Sequence, residues 1–274
     1  MKYIFLNLKR FDITKENGGV NSISEPAKWA QYIVNSVRDA VKKYSNETEF
    51  AIFFPEAHII PAVECGMGTI HPGCQGVYRE DVTGDGNFGA FTTIRTALSM
   101  AQLGCDYTII GHCEERKNLK SLMKEFGSKN VSTINSILNR EVLQAQKAGL
   151  KVLFCVGEDA EEVTCREKIL ITQLTQGLHN VDLSKVVIGY EPLWAIGPGR
   201  PVPTAEVISE VGRMIKSIVP CDVVYGGGLK EENADMIASV PEMNGGLVAL
   251  TRFKGDIGFY PDEYIRIVDK YLSH

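Results

Sequence analysis

The sequence holds no hydrophobic run long enough to cross a bilayer, no C-x-x-C pair, and no H-x-x-H or H-E-x-x-H group. The first absence excludes a membrane-spanning helix. The others leave its five histidines without metal-ligand spacing, so neither a metal nor another cofactor is expected. Positive charge is scarce as well: 29 Lys and Arg stand against 34 Asp and Glu, a net charge of -5. That balance argues against nucleic acid or an anionic membrane as partner. The apolar stretch at the N-terminus, Tyr3 to Leu6, is too short for a secretion signal. Seven scattered cysteines, an odd number, read as the reduced thiols of a cytoplasmic protein. Low-complexity segments and interdomain linkers are also missing, so one domain over residues 1–274 is expected.

What the sequence does have is a repeating alternation. Short runs rich in Val, Ile and Phe begin at Tyr3 (YIFLNL), Ala51 (AIFFPE), Cys74 (CQGVY) and Tyr107 (YTIIGH). Others begin at Val152 (VLFCVGE), Val186 (VVIGYEP), Val223 (VVYGGG) and Gly246 (GLVAL). Most are continuously apolar, as strands covered on both faces must be. Between them lie helical spacings: Trp29, Ile33, Val37 and Val41 after Pro26, and 134–148 ending at Gly149. Val207, Val211, Met214, Ile215 and Ile218 follow Thr204, an N-cap residue, and Ile265, Val268 and Leu272 close the chain. Eight strands alternating with helices predict a single (β/α)8 barrel, an α/β fold. KENGGVNSISEP after strand one reads as an exposed loop insertion, and REDVTGDGNFGAF after strand three as an irregular loop.

In such barrels reactive groups project from the C-terminal ends of the strands. The polar residues there are Asn7 and Lys9, Gln75, His112, Glu158 and Glu191; His58, just past strand two, reads as a packing residue. Singly, a strand-end Glu or Lys is ordinarily solvated. Together, an acid, an imidazole, a lysine and an amide at one rim match the parts of general acid–base catalysis. Glycines in AIGPG, YGGGL and NGGL, at or after the late strands, would let backbone N–H groups approach an anion. After Glu191 comes a segment with stiff proline-bearing ends, PLWAIGPGRPVP, which suits a lid.

YTIIGHCEER, GYEPLWAIGPG and VVYGGGLKEEN, at these spacings, closely resemble the triosephosphate isomerase family, as do NLK near the start, GAFT at Gly89 and CVGE at Cys155. The resemblance implies cofactor-free interconversion of dihydroxyacetone phosphate and D-glyceraldehyde 3-phosphate, a small phosphorylated sugar being the only ligand. Carried onto this sequence, Glu191 is the base and His112 a neutral electrophile. Lys9 and Asn7 stabilise the enediolate, and Glu114 is a polar partner contacting Lys9. Pro192, Leu193 and Trp194 form one lid hinge, Ala195 to Gly199 the tip, and Arg200, Pro201 and Val202 the other hinge. Gly197 offers its N–H to the phosphate. Gln75 and Thr92 match the family's homodimer contact.

The departures concern the phosphate. Gly227 and Gly228 end the strand-seven motif where the family closes on a serine, and Ala249-Leu250 follow Leu247-Val248 where the family has two glycines. Gly245-Gly246 could serve instead if the strand shifts. The lid carries Pro198. Gly76, Ile94 and Glu115 replace the family's Asn, Glu and Arg, and Leu8 replaces a Trp, which implies a rearranged interface. Two other readings follow: a paralogue isomerising a four-carbon ketose phosphate such as erythrulose phosphate, and a non-catalytic phosphometabolite-binding barrel.

Overall fold

The computed structural model describes residues 1–127, 132–197 and 200–274. Its strands are β1 (Lys2–Asn7), β2 (Thr48–Phe54), β3 (Ile70–Cys74) and β4 (Tyr107–Ile110), then β5 (Lys151–Val156), β6 (Val186–Tyr190), β7 (Asp222–Tyr225) and β8 (Gly245–Val248). They pair in parallel, in chain order, and close into a barrel where β8 meets β1 from Tyr3↔Gly245 to Leu6↔Val248. No helix among the described residues is long and apolar enough to cross a membrane.

The continuous apolar runs have a direct structural cause. Phe5, Ala51, Phe53, Tyr107, Leu153, Val187, Val224 and Leu247 fill the barrel interior. Their neighbours in sequence, such as Ile4, Leu6, Ile52, Phe54, Phe154 and Ile188, belong to the separate core beneath the helices. Both faces of each strand are largely dry, so apolar residues dominate both.

Helices α1 (Trp29–Val41), α2 (Ile59–Gly66) and α3 (Ala97–Gln102) precede α4 (Cys113–Glu125), α5 (Ser132–Lys147) and α6 (Arg166–Gly177). α7 (Ala205–Ile218), α8 (Ala234–Ala238) and α9 (Pro261–Leu272) complete the set. The expected stripe of α1 is buried, and Pro26 opens the single 3-10 turn that leads into it. Thr204 caps α7 by accepting the Val207 N–H, and Gly149 turns left-handed after α5 at φ 93°. α4 carries no buried residue, so its sequence has no apolar period to reveal it.

Strand three lies elsewhere than the apolar pattern predicts. β3 spans Ile70–Cys74, and Gln75 to Tyr78 lie beyond its end. Its sequence, IHPGC, contains Pro72 and Gly73 and therefore lacks a strand signature. Gly73 is small for a reason: a Cβ there would lie 2.6 Å from the Phe53 ring inside the barrel. The loop after β3 is irregular, as expected. The loop after β1 is exposed over residues 15–18, as expected, but Asn21 within it is buried and donates to the carbonyls of Asp12 and Ser24.

Candidate active site

Glu191 follows β6 directly and is 2% exposed. Its backbone N–H donates to the Val156 carbonyl at 2.8 Å, which extends the ladder past the strand end. Two glycines make room for it. A Cβ at Gly157 would overlap the Glu191 carbonyl oxygen, and one at Gly226 would lie 2.9 Å from Glu191 Cγ. Glu191 Oε2 accepts the Cys113 N–H at 2.8 Å, and Oε1 lies 3.3 Å from His112 Nε2. Burial pushes this carboxyl above its ordinary range, a shift opposed by His112 and the Cys113 N–H. A buried, donor-held carboxylate of raised basicity is the environment of a carbon base.

His112 is the N-cap of α4. Its Nδ1 accepts the Glu114 N–H at 3.3 Å, which requires an unprotonated Nδ1. The ring proton is therefore assigned to Nε2, the atom facing Glu191. Sγ of Cys113 lies near the ring, and the ligand atoms of His112, Cys113 and Glu191 all fall within 4.8 Å of one another. Burial pushes the Cys113 thiol up to about 12.

Lys9 stands at the end of β1 with φ 40°, left-handed geometry that is strained for a side-chain-bearing residue. Buried Asn7 holds it there by accepting the Lys9 N–H at 3.1 Å. Gln75 braces the same turn, donating from Nε2 to the Lys9 carbonyl at 3.0 Å, the Phe53 carbonyl at 3.2 Å and Asn7 Oδ1 at 3.3 Å. Lys9 Nζ meets Glu114 Oε1 at 2.6 Å. Burial raises the Glu114 carboxyl, but the Lys9 ammonium outweighs it and leaves the group below its ordinary value. Thr92, the other expected contact residue, is exposed on a cavity of about 430 Å³ shared with Gln75, Arg95 and Glu115.

Two residues support the site in ways the sequence does not show: Glu158, expected only as a rim residue, and Arg116, not expected there. Fully buried Glu158 receives Arg166 Nε at 2.7 Å, the Trp194 indole N–H at 2.9 Å and the Tyr190 hydroxyl at 3.0 Å. It thereby ties the 3-10 turn Leu193–Ala195, which follows Pro192, to strands β5 and β6. Arg116 donates to the carbonyls of Gly111 and Cys155 and to Asn135 Oδ1, locking the turn that carries His112. Glu158 stands at a strand end as expected, but its donors come from other elements; Arg116 lies within α4, away from any strand end. His58 is a packing residue as expected, buried with its ring edge against Trp29 and its Nε2 3.2 Å from Asp12.

The alternative in which strand eight shifts to present Gly245 and Gly246 fails. Gly245 and Gly246 lie inside β8, where a Cβ would strike the Tyr3 carbonyl oxygen or come within 2.8 Å of Leu229. Their smallness is a packing demand. Ala249 and Leu250, both half-buried, follow the strand instead. Gly227 and Gly228 follow β7, Gly228 with φ 94°, and Gly197 has φ 120°. Pro198 and Gly199 lie outside the described residues. Arg200, Pro201 and Val202 are exposed.

The triosephosphate isomerase family model matches residues 22–259. The chain belongs to that family. It is 34% identical over 209 residues to a triosephosphate isomerase from Synechocystis, covering 74% of this chain and 75% of the relative. With the triosephosphate isomerase of Francisella philomiragia it shares 32% identity over 248 residues, 85% of this chain and 87% of that one. The crystal structure of triosephosphate isomerase from Bartonella henselae superimposes with a TM-score of 0.72 at 22% identity, covering 98% of both chains, so the closed barrel is the family fold. Membership makes this chain an isomerase.

Proposed function

We propose that this enzyme interconverts dihydroxyacetone phosphate and D-glyceraldehyde 3-phosphate through an enediolate. The observation that carries the proposal is the contact of buried Glu191 with His112 Nε2 at 3.3 Å, on a ring whose Nδ1 accepts a helix N–H. Glu191 removes the proton from the carbon beside the carbonyl and returns it to the neighbouring carbon. His112 Nε2–H turns from Glu191 to the substrate oxygen, polarises it, and passes protons between the two enediolate oxygens. The Lys9 ammonium and the Asn7 amide stabilise the negative charge that develops there, with Glu114 holding Lys9 in place.

The phosphate lies against the backbone N–H groups of Gly197, Gly227, Gly228, Ala249 and Leu250. No acceptor is found for the N–H of Gly197, Gly228 or Leu250 among the described residues, which supports this placement. Residues 192–202 form the lid; its closure keeps water from the enediolate, which otherwise expels phosphate. The enzyme is a cytoplasmic homodimer in which the loop after β3, with Gln75 and Thr92, meets the partner. Seven free cysteines agree with a reducing compartment.

Half-buried Leu250, where the family has a glycine, favours one second reading: a four-carbon ketose phosphate as preferred substrate. Coupled assays on glyceraldehyde 3-phosphate and on erythrulose phosphate decide between them, the triose being expected to turn over faster. Glu191→Gln is expected to lower kcat by about 10²–10⁴-fold with the fold intact. Unchanged turnover in that variant would remove the mechanism.

A further inference from the structure

The serine that would supply a hydroxyl to the phosphate is absent at Gly228, and a cation stands close to the vacant side-chain position. A Cβ built on Gly228 would lie 3.7 Å from Lys230 Cε, so the lysine stem runs past the place a side chain would occupy. Lys230 is half-buried, and its ammonium sits 4.0 Å from the centroid of the Phe253 ring. Among the described residues no carboxylate pairs with it, and the adjacent Glu231 is taken by Arg266. A half-buried ammonium resting on an aromatic face keeps its donors available to an anion.

The turn that carries Lys230 is stapled. Asn233 Oδ1 accepts the Lys230 N–H at 2.8 Å, Asn233 Nδ2 donates to the Gly228 carbonyl at 3.0 Å, and the Leu229 N–H donates to the Leu247 carbonyl at 2.9 Å. Lys230 belongs to the loop after β7 and Phe253 to the loop after β8. Those two loops build the common phosphate site of these barrels. The Lys230–Phe253 contact joins them at the side of the free Gly228 N–H.

We infer that Lys230, parked on Phe253, is a phosphate-binding residue of this enzyme and replaces the missing hydroxyl with a full positive charge. The inference rests on the phosphate-sugar reading above and deepens it. In the free enzyme the ammonium rests on the ring; with substrate bound it turns toward the phosphoryl oxygens beside the Gly228 N–H.

The test is Lys230→Met, with Lys230→Arg as the charge-retaining control. Inorganic phosphate binding is measured by calorimetry without turnover. Steady-state kinetics are measured on glyceraldehyde 3-phosphate and on unphosphorylated glyceraldehyde. Lys230→Met is expected to weaken phosphate binding and raise KM for the phosphorylated substrate by about 10-fold or more. Its kcat/KM on glyceraldehyde should stay within about twofold, and Lys230→Arg should restore most of the loss. Phosphate affinity within about twofold of wild type in Lys230→Met overturns the inference, as does failure of the wild-type enzyme to bind phosphate. Because binding is read without turnover, phosphate binding lost in the variant of an enzyme inactive on triose phosphates would refute the proposed reaction and keep Lys230's role.

Discussion

Gly226→Ala isolates the placement of the base from its chemistry. The substitution leaves every titratable group unchanged, and Gly226 is not among the residues with positive φ, so alanine meets no backbone penalty. It adds one methyl group, 2.9 Å from Glu191 Cγ and 2.8 Å from the Tyr190 carbonyl oxygen. Ordinary contact begins at 3.4 Å, so the Glu191 side chain and residue 226 must separate by about 3.4 − 2.9 = 0.5 Å, with a similar adjustment against the Tyr190 carbonyl. Catalytic groups tolerate roughly 0.5 Å of error, and about 1 Å costs on the order of 100-fold. The expected loss in kcat is therefore about 10- to 100-fold, or about 1.4–2.7 kcal/mol in the barrier. Overpacking of this size costs about 1–3 kcal/mol of stability, which leaves a folded protein. Steady-state kinetics on glyceraldehyde 3-phosphate with parallel urea unfolding separates the two effects. A folded variant with kcat within threefold of wild type would show that Glu191 does not work from the position described. Gly157→Ala is the severe counterpart: its Cβ overlaps the backbone oxygen of Glu191 and has no flexible side chain to push aside.

The barrel was legible because its cause is local. A strand dry on both faces must be apolar throughout, and β1, β2 and β4 to β8 each announce themselves in that way. β3 does not, since Phe53, the partner of Gly73 on the neighbouring strand, takes the volume that a side chain at Gly73 would have filled. The composition of one strand was set by a residue on another, and no single run of sequence records that. The same division holds at the candidate site. Glu191, His112 and Lys9 are visible because a polar residue at the end of an apolar run is conspicuous. Glu158 is visible too, yet its role is not: its three donors, Arg166, Tyr190 and Trp194, come from separate elements and meet only in the folded chain. Arg116 is hidden by its setting, for in GHCEERK it looks like one more charge on a polar helix. The Gly-Gly pair at 245–246 invited the opposite error. It resembles an anion loop, whereas the Tyr3 backbone alone demands a glycine at Gly245.

Two further outcomes test the supports. Trp194→Phe removes the indole N–H from buried Glu158 and should destabilise the enzyme by about 1.5–3 kcal/mol, while loosening the hinge. Phosphate released per isomerisation should rise with it, measured as free phosphate during turnover; an unchanged ratio would mean the hinge does not seal the lid. The last outcome concerns Glu141, buried beside Glu115 and pushed up to about 10, first by burial and then by that second carboxyl. The protonated Glu141 donates to Glu115, which binds the Gly111 N–H at the start of the His112 turn. The folded chain thus holds a proton that the unfolded chain releases near 4.5. Stability from this group is complete below that value and is lost as pH rises toward about 10, with a slope of at most about 1.4 kcal/mol per pH unit. Glu141→Gln keeps the donor and removes the titration, so its urea midpoint should fall less between pH 7 and pH 9 than that of the wild type. Parallel pH profiles for the two proteins would mean that Glu141 is ionised in the native state and that another group carries the shared proton.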